Sequence, residues 1–144
     1  MIQSLYCNHC RFRISAPLTL RSGNDPAAEA LYVSLGKPLC ERGTGYKSWM
    51  LMPWLHIENG HPLDFLPQVW MNTDDLTERV RNSPKQERLN GCCGPTGLDG
   101  PNQICACKVH VGTRQADCMT PIVFIPDPAA TTWREGSADF WDYP

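Results

Sequence analysis

The alternation of apolar and polar positions changes period several times along the chain and never holds one period for long. Phe12 and Ile14 alternate with Arg11 and Arg13, the period-two pattern of a half-buried strand. Leu5–Ser15 therefore predicts strand, turn, strand, with Cys7-Asn8-His9-Cys10 at the turn. Short strands are also predicted at Val69–Met71, Gln103–Val111 and Ile122–Ile125. Trp49–Ile57 reads as a strand pair or a buried strand broken at Pro53.

Two segments carry helix signals. Asp25-Pro26-Ala27-Ala28-Glu29 offers a capping acid, proline at the first helical position and an acidic first turn, predicting a helix to about Leu35. Asn72 or Thr73 can cap a second helix from Asp74 to about Arg81. Leu76 and Val80 would form its apolar stripe, with aspartates and arginines at opposite ends as the macrodipole favours. Residues 83–102 read as a polar connection and then an ordered loop rich in Gly, Pro and Asp. The expected fold class is thus α+β: short antiparallel strands, one or two short helices and long ordered loops. It divides into a domain over 1–126 and a C-terminal tail over 127–144.

Composition explains why such a chain needs extra support. It has 144 residues with eleven glycines and thirteen prolines. Leu, Ile, Val and Phe make up about a fifth of it, at the edge of what folds unaided. Eight cysteines are the obvious supplement. The net charge of −2 removes the usual electrostatic reason to expect nucleic-acid binding. No apolar run is long enough for a membrane span, and residues 1–6 lack a basic n-region. A cytoplasmic location is therefore expected, where closely spaced cysteines read as metal ligands before disulfides.

The cysteines stand at 7, 10, 40, 92, 93, 105, 107 and 118. Cys7-x-x-Cys10 between short strands matches half of a zinc ribbon, because two intervening residues let both sulfurs reach one tetrahedral ion. Cys105 and Cys107 would project from one face of a strand and complete the set if that strand bends. The preferred ligands for zinc are therefore Cys7, Cys10, Cys105 and Cys107. Cys92, Cys93 and Cys118 could form a second metal site, with Cys40 or His110 as fourth ligand. Disulfides are the structural alternative, and spacing does not choose among their pairings.

Gly91-Cys92-Cys93-Gly94 followed by Cys105-x-Cys107 and Asp117-Cys118, with a Cys-x-x-Cys near the N-terminus, resembles a group of small bacterial zinc-ribbon-like proteins. That resemblance implies metal binding and brings no activity with it.

Enzyme motifs fit less well. His56-Ile57-Glu58 matches the first half of a nucleobase deaminase signature, but Pro-Cys-x-x-Cys does not follow. His56, His61 and Asp64 have no helical metal-site spacing, since Pro62 interrupts them. Two functions are carried forward. The first is a non-enzymatic, metal-stabilised protein-binding module. Five tryptophans and four tyrosines supply anchors for an interface. The acidic aromatic stretch Asp139, Phe140, Trp141, Asp142 and Tyr143 suits a basic protein partner. By analogy this includes immunity or antitoxin proteins that cover a toxin domain. The second is a small zinc enzyme, a hydrolase or deaminase-like protein, with one open metal position and His56, His61 or His110 as ligand or base.

Overall fold

Nine strands form one sheet. In chain order they are β1 (Ile2–Cys7), β2 (Leu18–Ser22), β3 (Thr44–Ser48), β4 (Gln68–Met71), β5 (Val80–Asn82), β6 (Gln103–Cys105), β7 (His110–Gln115), β8 (Val123–Pro126) and β9 (Thr131–Glu135). The computed structural model describes residues 2–26, 31, 33–52 and 63–135. The order across the sheet is β5-β6-β7-β8-β4-β3-β2-β1-β9, curled into a half-barrel. All neighbours are antiparallel except β2 and β3, which run parallel with Thr19 opposite Thr44.

This overturns the α+β expectation, since the described residues contain no α-helix. The second expected helix is a single 3-10 turn, Thr73–Asp75. Its Asn72 cap is present, with Oδ1 accepting the Asp74 N–H at 2.8 Å. The helix does not continue because extended neighbours claim its backbone. The Thr77 N–H donates to the Ile14 carbonyl at 2.9 Å, and the Asp75 carbonyl accepts from Ala16 at 2.8 Å. Val80 then enters β5 and pairs with Cys105. Tertiary strand pairing outweighs a weak local preference for helix. Of the first expected helix, Leu31, Val33 and Ser34 are not helical; positions 27–30 and 32 lie outside the described residues.

Strands β4 and β8 lie at the middle of the order, and their side chains alternate between two apolar clusters. Met71 and Phe124 enter one with Leu5, Ile14, Leu18, Val111, Cys7 and Cys105. Trp70, Val123 and Ile125 enter the other with Leu39, Cys40 and Met52. Burial on both faces accounts for the unbroken apolar run Ile122–Ile125 in the sequence. A buried amide organises the second cluster. Gln68 Oε1 accepts from the Met52 N–H at 3.2 Å and the Trp70 indole at 3.0 Å, while its Nε2 donates to the Leu63 carbonyl at 3.0 Å.

The first cluster fills the curl. Strands β1 and β6 stand near opposite ends of the sheet order, yet Cys7 and Cys105 share this cluster. The segment after β1 pairs with both sides: Arg13 bridges Tyr6, and Ser15 bridges Leu76. Strand β9, within the stretch expected as a tail, pairs along β1 from Gln3 opposite Glu135 to Cys7 opposite Thr131.

Candidate metal centre

Two tight hairpin loops meet at the seam of the curl, and each presents two cysteines. In the first, the Cys7 N–H donates to the Phe12 carbonyl at 3.0 Å and the Arg11 N–H to the Cys7 carbonyl at 2.9 Å. In the second, the Cys105 N–H donates to the Val109 carbonyl at 2.9 Å and the Lys108 N–H to the Cys105 carbonyl at 2.8 Å. In each loop the residue after the second cysteine is left-handed, Arg11 at φ 69° and Lys108 at φ 73°. A positive φ without glycine is uncommon, so its occurrence at matching places marks the same local solution used twice. The stretch Gln103–Val111, read as one strand from alternation, is therefore a hairpin. Its turn, rather than a bend in a strand, brings Cys105 and Cys107 to one side.

The ligand atoms of Cys7, Cys10, Cys105 and Cys107 all lie within 4.8 Å of one another and could hold a metal ion. Cys7 Sγ is 3.6 Å from Cys107 Sγ, and Cys10 Sγ is 3.6 Å from Cys105 Sγ. Each loop thus contributes one sulfur to each close pair. Cys7 and Cys105 are buried, Cys10 and Cys107 half-buried.

Backbone N–H groups of both loops point at the sulfurs. Burial pushes the Cys7, Cys105 and Cys107 thiols up, opposed by the N–H groups of Cys10 and His9 at Cys7, of Cys107 at Cys105 and of Val109 at Cys107. Burial acts against Cys10 as well. There the Phe12 N–H, the sulfurs of Cys105 and Cys7 and the Arg79 guanidinium bring the thiol down to about 7. Arg79 Nη2 lies 3.7 Å from Cys10 Sγ, and its guanidinium stacks 4.2 Å from the Phe12 ring centroid. The N–H groups and the cation act toward the thiolate, the form that binds metal, and at Cys10 alone they outweigh burial.

The other four cysteines do not come together as expected. Cys93 and Cys118 meet at the surface beside Asp117, an acid that cysteine spacing does not nominate as a ligand. The Cys93 N–H donates to Asp117 Oδ1 at 2.9 Å. That bond, the largest influence, and the N–H groups of Cys118 and Met119 hold the Asp117 carboxyl below its ordinary range. Cys118 is pushed up to about 11, first by Cys93, then by burial and the Asp117 charge. Cys92 is exposed and outside this group. His110 is not a ligand to it; its Nε2 is 2.7 Å from the Ser83 hydroxyl.

Cys40 is removed altogether. It lies in the apolar cluster around Trp70, with its thiol donating to the Trp70 carbonyl at 3.3 Å. Burial and the Asp75 charge push it up to about 12, so it carries almost no thiolate at neutral pH. Brief treatment of the folded protein with iodoacetamide should leave Cys40 unmodified while the exposed Cys92 reacts, as read by peptide mass spectrometry. Unfolding should make the two equally reactive.

His56, His61 and the stretch Asp139, Phe140, Trp141, Asp142 and Tyr143 lie outside the described residues. No helix among the described residues is long and apolar enough to cross a membrane. No protein-family model, curated protein or solved structure matches this chain.

Proposed function

We propose that the four-thiol cluster holds a structural zinc ion and that the protein is a non-enzymatic module that binds a protein partner. The observation that carries this reading is the convergence of four sulfurs from two hairpin loops near opposite ends of the sheet order. A regular tetrahedron with metal–sulfur bonds of about 2.3 Å has edges of about 3.8 Å. Two of the sulfur pairs, Cys7–Cys107 and Cys10–Cys105, at 3.6 Å, match that size. Four thiolates complete the coordination of zinc and leave no position for a substrate or an activated water. An ion held this way closes the curled sheet and has no catalytic role.

The surface supports the binding half of the proposal. Trp49, Met50 and Leu51 follow β3 in succession and are 43%, 74% and 46% exposed. The Trp49 ring is fixed although it is not buried: its indole N–H donates to the Ser22 hydroxyl at 3.3 Å, and the Lys47 ammonium sits 5.2 Å from the ring centroid. An exposed aromatic held in one orientation loses little freedom on binding, which is what an interface anchor requires.

One experiment tests both halves. Wild-type protein and the pair Trp49→Asp and Met50→Asp are purified from metal-supplemented cells and compared in metal content, melting temperature and partner capture from the native host. Zinc should be present in all three, with melting temperatures within about 2 °C, because exposed substitutions cost little. A protein captured specifically by the wild type should be lost with either variant. Iron in place of zinc would make the centre an electron carrier and overturn the reading. Equal capture by both variants would remove this surface from the interface.

A further inference from the structure

We propose that Cys93, Asp117 and Cys118 form a second, exchangeable site for a thiophilic divalent metal ion, with three protein donors and one position open to solvent. The two sulfurs and a carboxylate oxygen lie within 4.8 Å of one another, and the fold builds this arrangement deliberately from two distant pieces of chain. The loop carrying Cys93 is laid against the end of β7. The Ala116 N–H donates to the Pro95 carbonyl at 2.9 Å, and the Cys93 N–H donates to Asp117 Oδ1 at 2.9 Å. Gly94 permits the approach, since a Cβ there would lie 2.7 Å from the Ala116 carbonyl oxygen. On the other side, Thr120 closes the turn holding Asp117 and Cys118. Its hydroxyl accepts from the Asp117 N–H at 3.1 Å, and its carbonyl accepts from the Gly36 N–H at 2.7 Å. Three segments thus converge to hold two exposed thiols beside one carboxylate.

The chemistry of the three donors points to a cation. The partners of the Asp117 carboxylate are neutral: the N–H groups of Cys93, Cys118 and Met119 and the Cys118 thiol at 3.8 Å. Deprotonated, the set would carry three negative charges at the surface, and a divalent ion would offset most of them. The N–H bonds do not use up the carboxylate, which has about four acceptor sites; they orient it, as outer hydrogen bonds orient metal ligands generally. Two sulfurs and one oxygen suit zinc or a softer divalent ion over magnesium or calcium. Exposure of both cysteines makes this ion exchangeable, in contrast with the four-thiol centre, where Cys7 and Cys105 are buried and Cys10 and Cys107 half-buried.

The test uses the full chain, reduced and stripped of metal, titrated with Zn²⁺ and separately with Cd²⁺, whose thiolate absorbance reports each sulfur-bound ion. The wild type should take up two equivalents, the second weaker and removed by brief dialysis against a chelator that leaves the first in place. Cys118→Ser should keep the first equivalent and the melting temperature and lose the second. Asp117→Asn retains an acceptor for the Cys93 N–H and should weaken the second equivalent about tenfold, while Cys92→Ser should change neither. Should Cys118→Ser fold poorly, Cys93→Ser serves in its place with the same expected loss. A single tightly held equivalent in the reduced wild type, unaffected by Cys118→Ser, or two retained by a folded Cys118→Ser, overturns the proposal. Failure of the four-thiol reading would look different: the only ion taken up would be weakly held and insensitive to Cys107→Ser.

Discussion

Replacing one sulfur of the seam, by Cys7→Ser or Cys107→Ser, should abolish cooperative unfolding and not merely lower a melting temperature. A structural zinc bound by cysteines supplies about 10–16 kcal/mol of apparent binding free energy in small peptides at neutral pH. A small domain has a net stability of only about 5–15 kcal/mol. The loss also falls where this fold has least to replace it, because Cys7 and Cys105 belong to the apolar cluster that fills the curl. Circular dichroism melts and zinc content measured together should show both lost in either variant, and a strong chelator added to the wild type should reproduce the result. Cys40→Ser is the control: it removes a buried thiol but no ligand, so zinc should be retained. A Cys107→Ser protein that melts like the wild type would show that the sulfur is not a ligand.

The second large effect is expected at Phe124, whose ring is completely buried in the same cluster. Phe124→Ala should cost about 3–5 kcal/mol through lost transfer energy and the cavity left behind, measured by urea denaturation of the zinc-loaded protein. Gly112, across on β7, has the converse sensitivity. A Cβ there would lie 2.5 Å from the Phe124 ring and 2.6 Å from the Ile125 carbonyl oxygen. Gly112→Ala should cost about 3 kcal/mol as overpacking. Combining it with Phe124→Leu should recover little, because the carbonyl oxygen remains in the way. Full recovery in the double variant would mean that the ring alone sets the constraint.

The local chemistry was legible in the sequence where it depended on a few adjacent residues. Cys7-x-x-Cys10 reads as a metal-binding turn because its spacing fixes the reach of both sulfurs, and the structure places these with Cys105 and Cys107. The Asn72 cap was legible for the same reason. What failed depended on distant partners. Asp74–Arg81 has every local mark of a helix, yet Ile14 and Cys105 draw its residues into extended pairing. Alternation in Gln103–Val111 concealed a turn, because Lys108 takes up a positive φ that no glycine announces. Cys40 could be grouped with Cys92, Cys93 and Cys118 only while its position beneath Trp70 was unknown. Asp117, visible in the Asp117-Cys118 pair, gives no sign of being a donor until the Cys93 loop is laid upon it.

The two halves of the four-thiol cluster lie far apart in sequence: Cys7 and Cys107 stand 100 residues apart. An ion bound there would have to offset the entropy of closing that loop, about 4.7 kcal/mol on the scale that describes covalent cross-links. The separation also fixes an order of events during synthesis. The N-terminal pair leaves the ribosome first and waits for its partners, at common elongation rates of about 5–20 residues per second, for roughly five to twenty seconds. Through that interval the nascent chain carries only half of the four-thiol cluster. The cluster is completed late, once the β6–β7 hairpin has arrived, and the fold closes only after β8 and β9 have followed it.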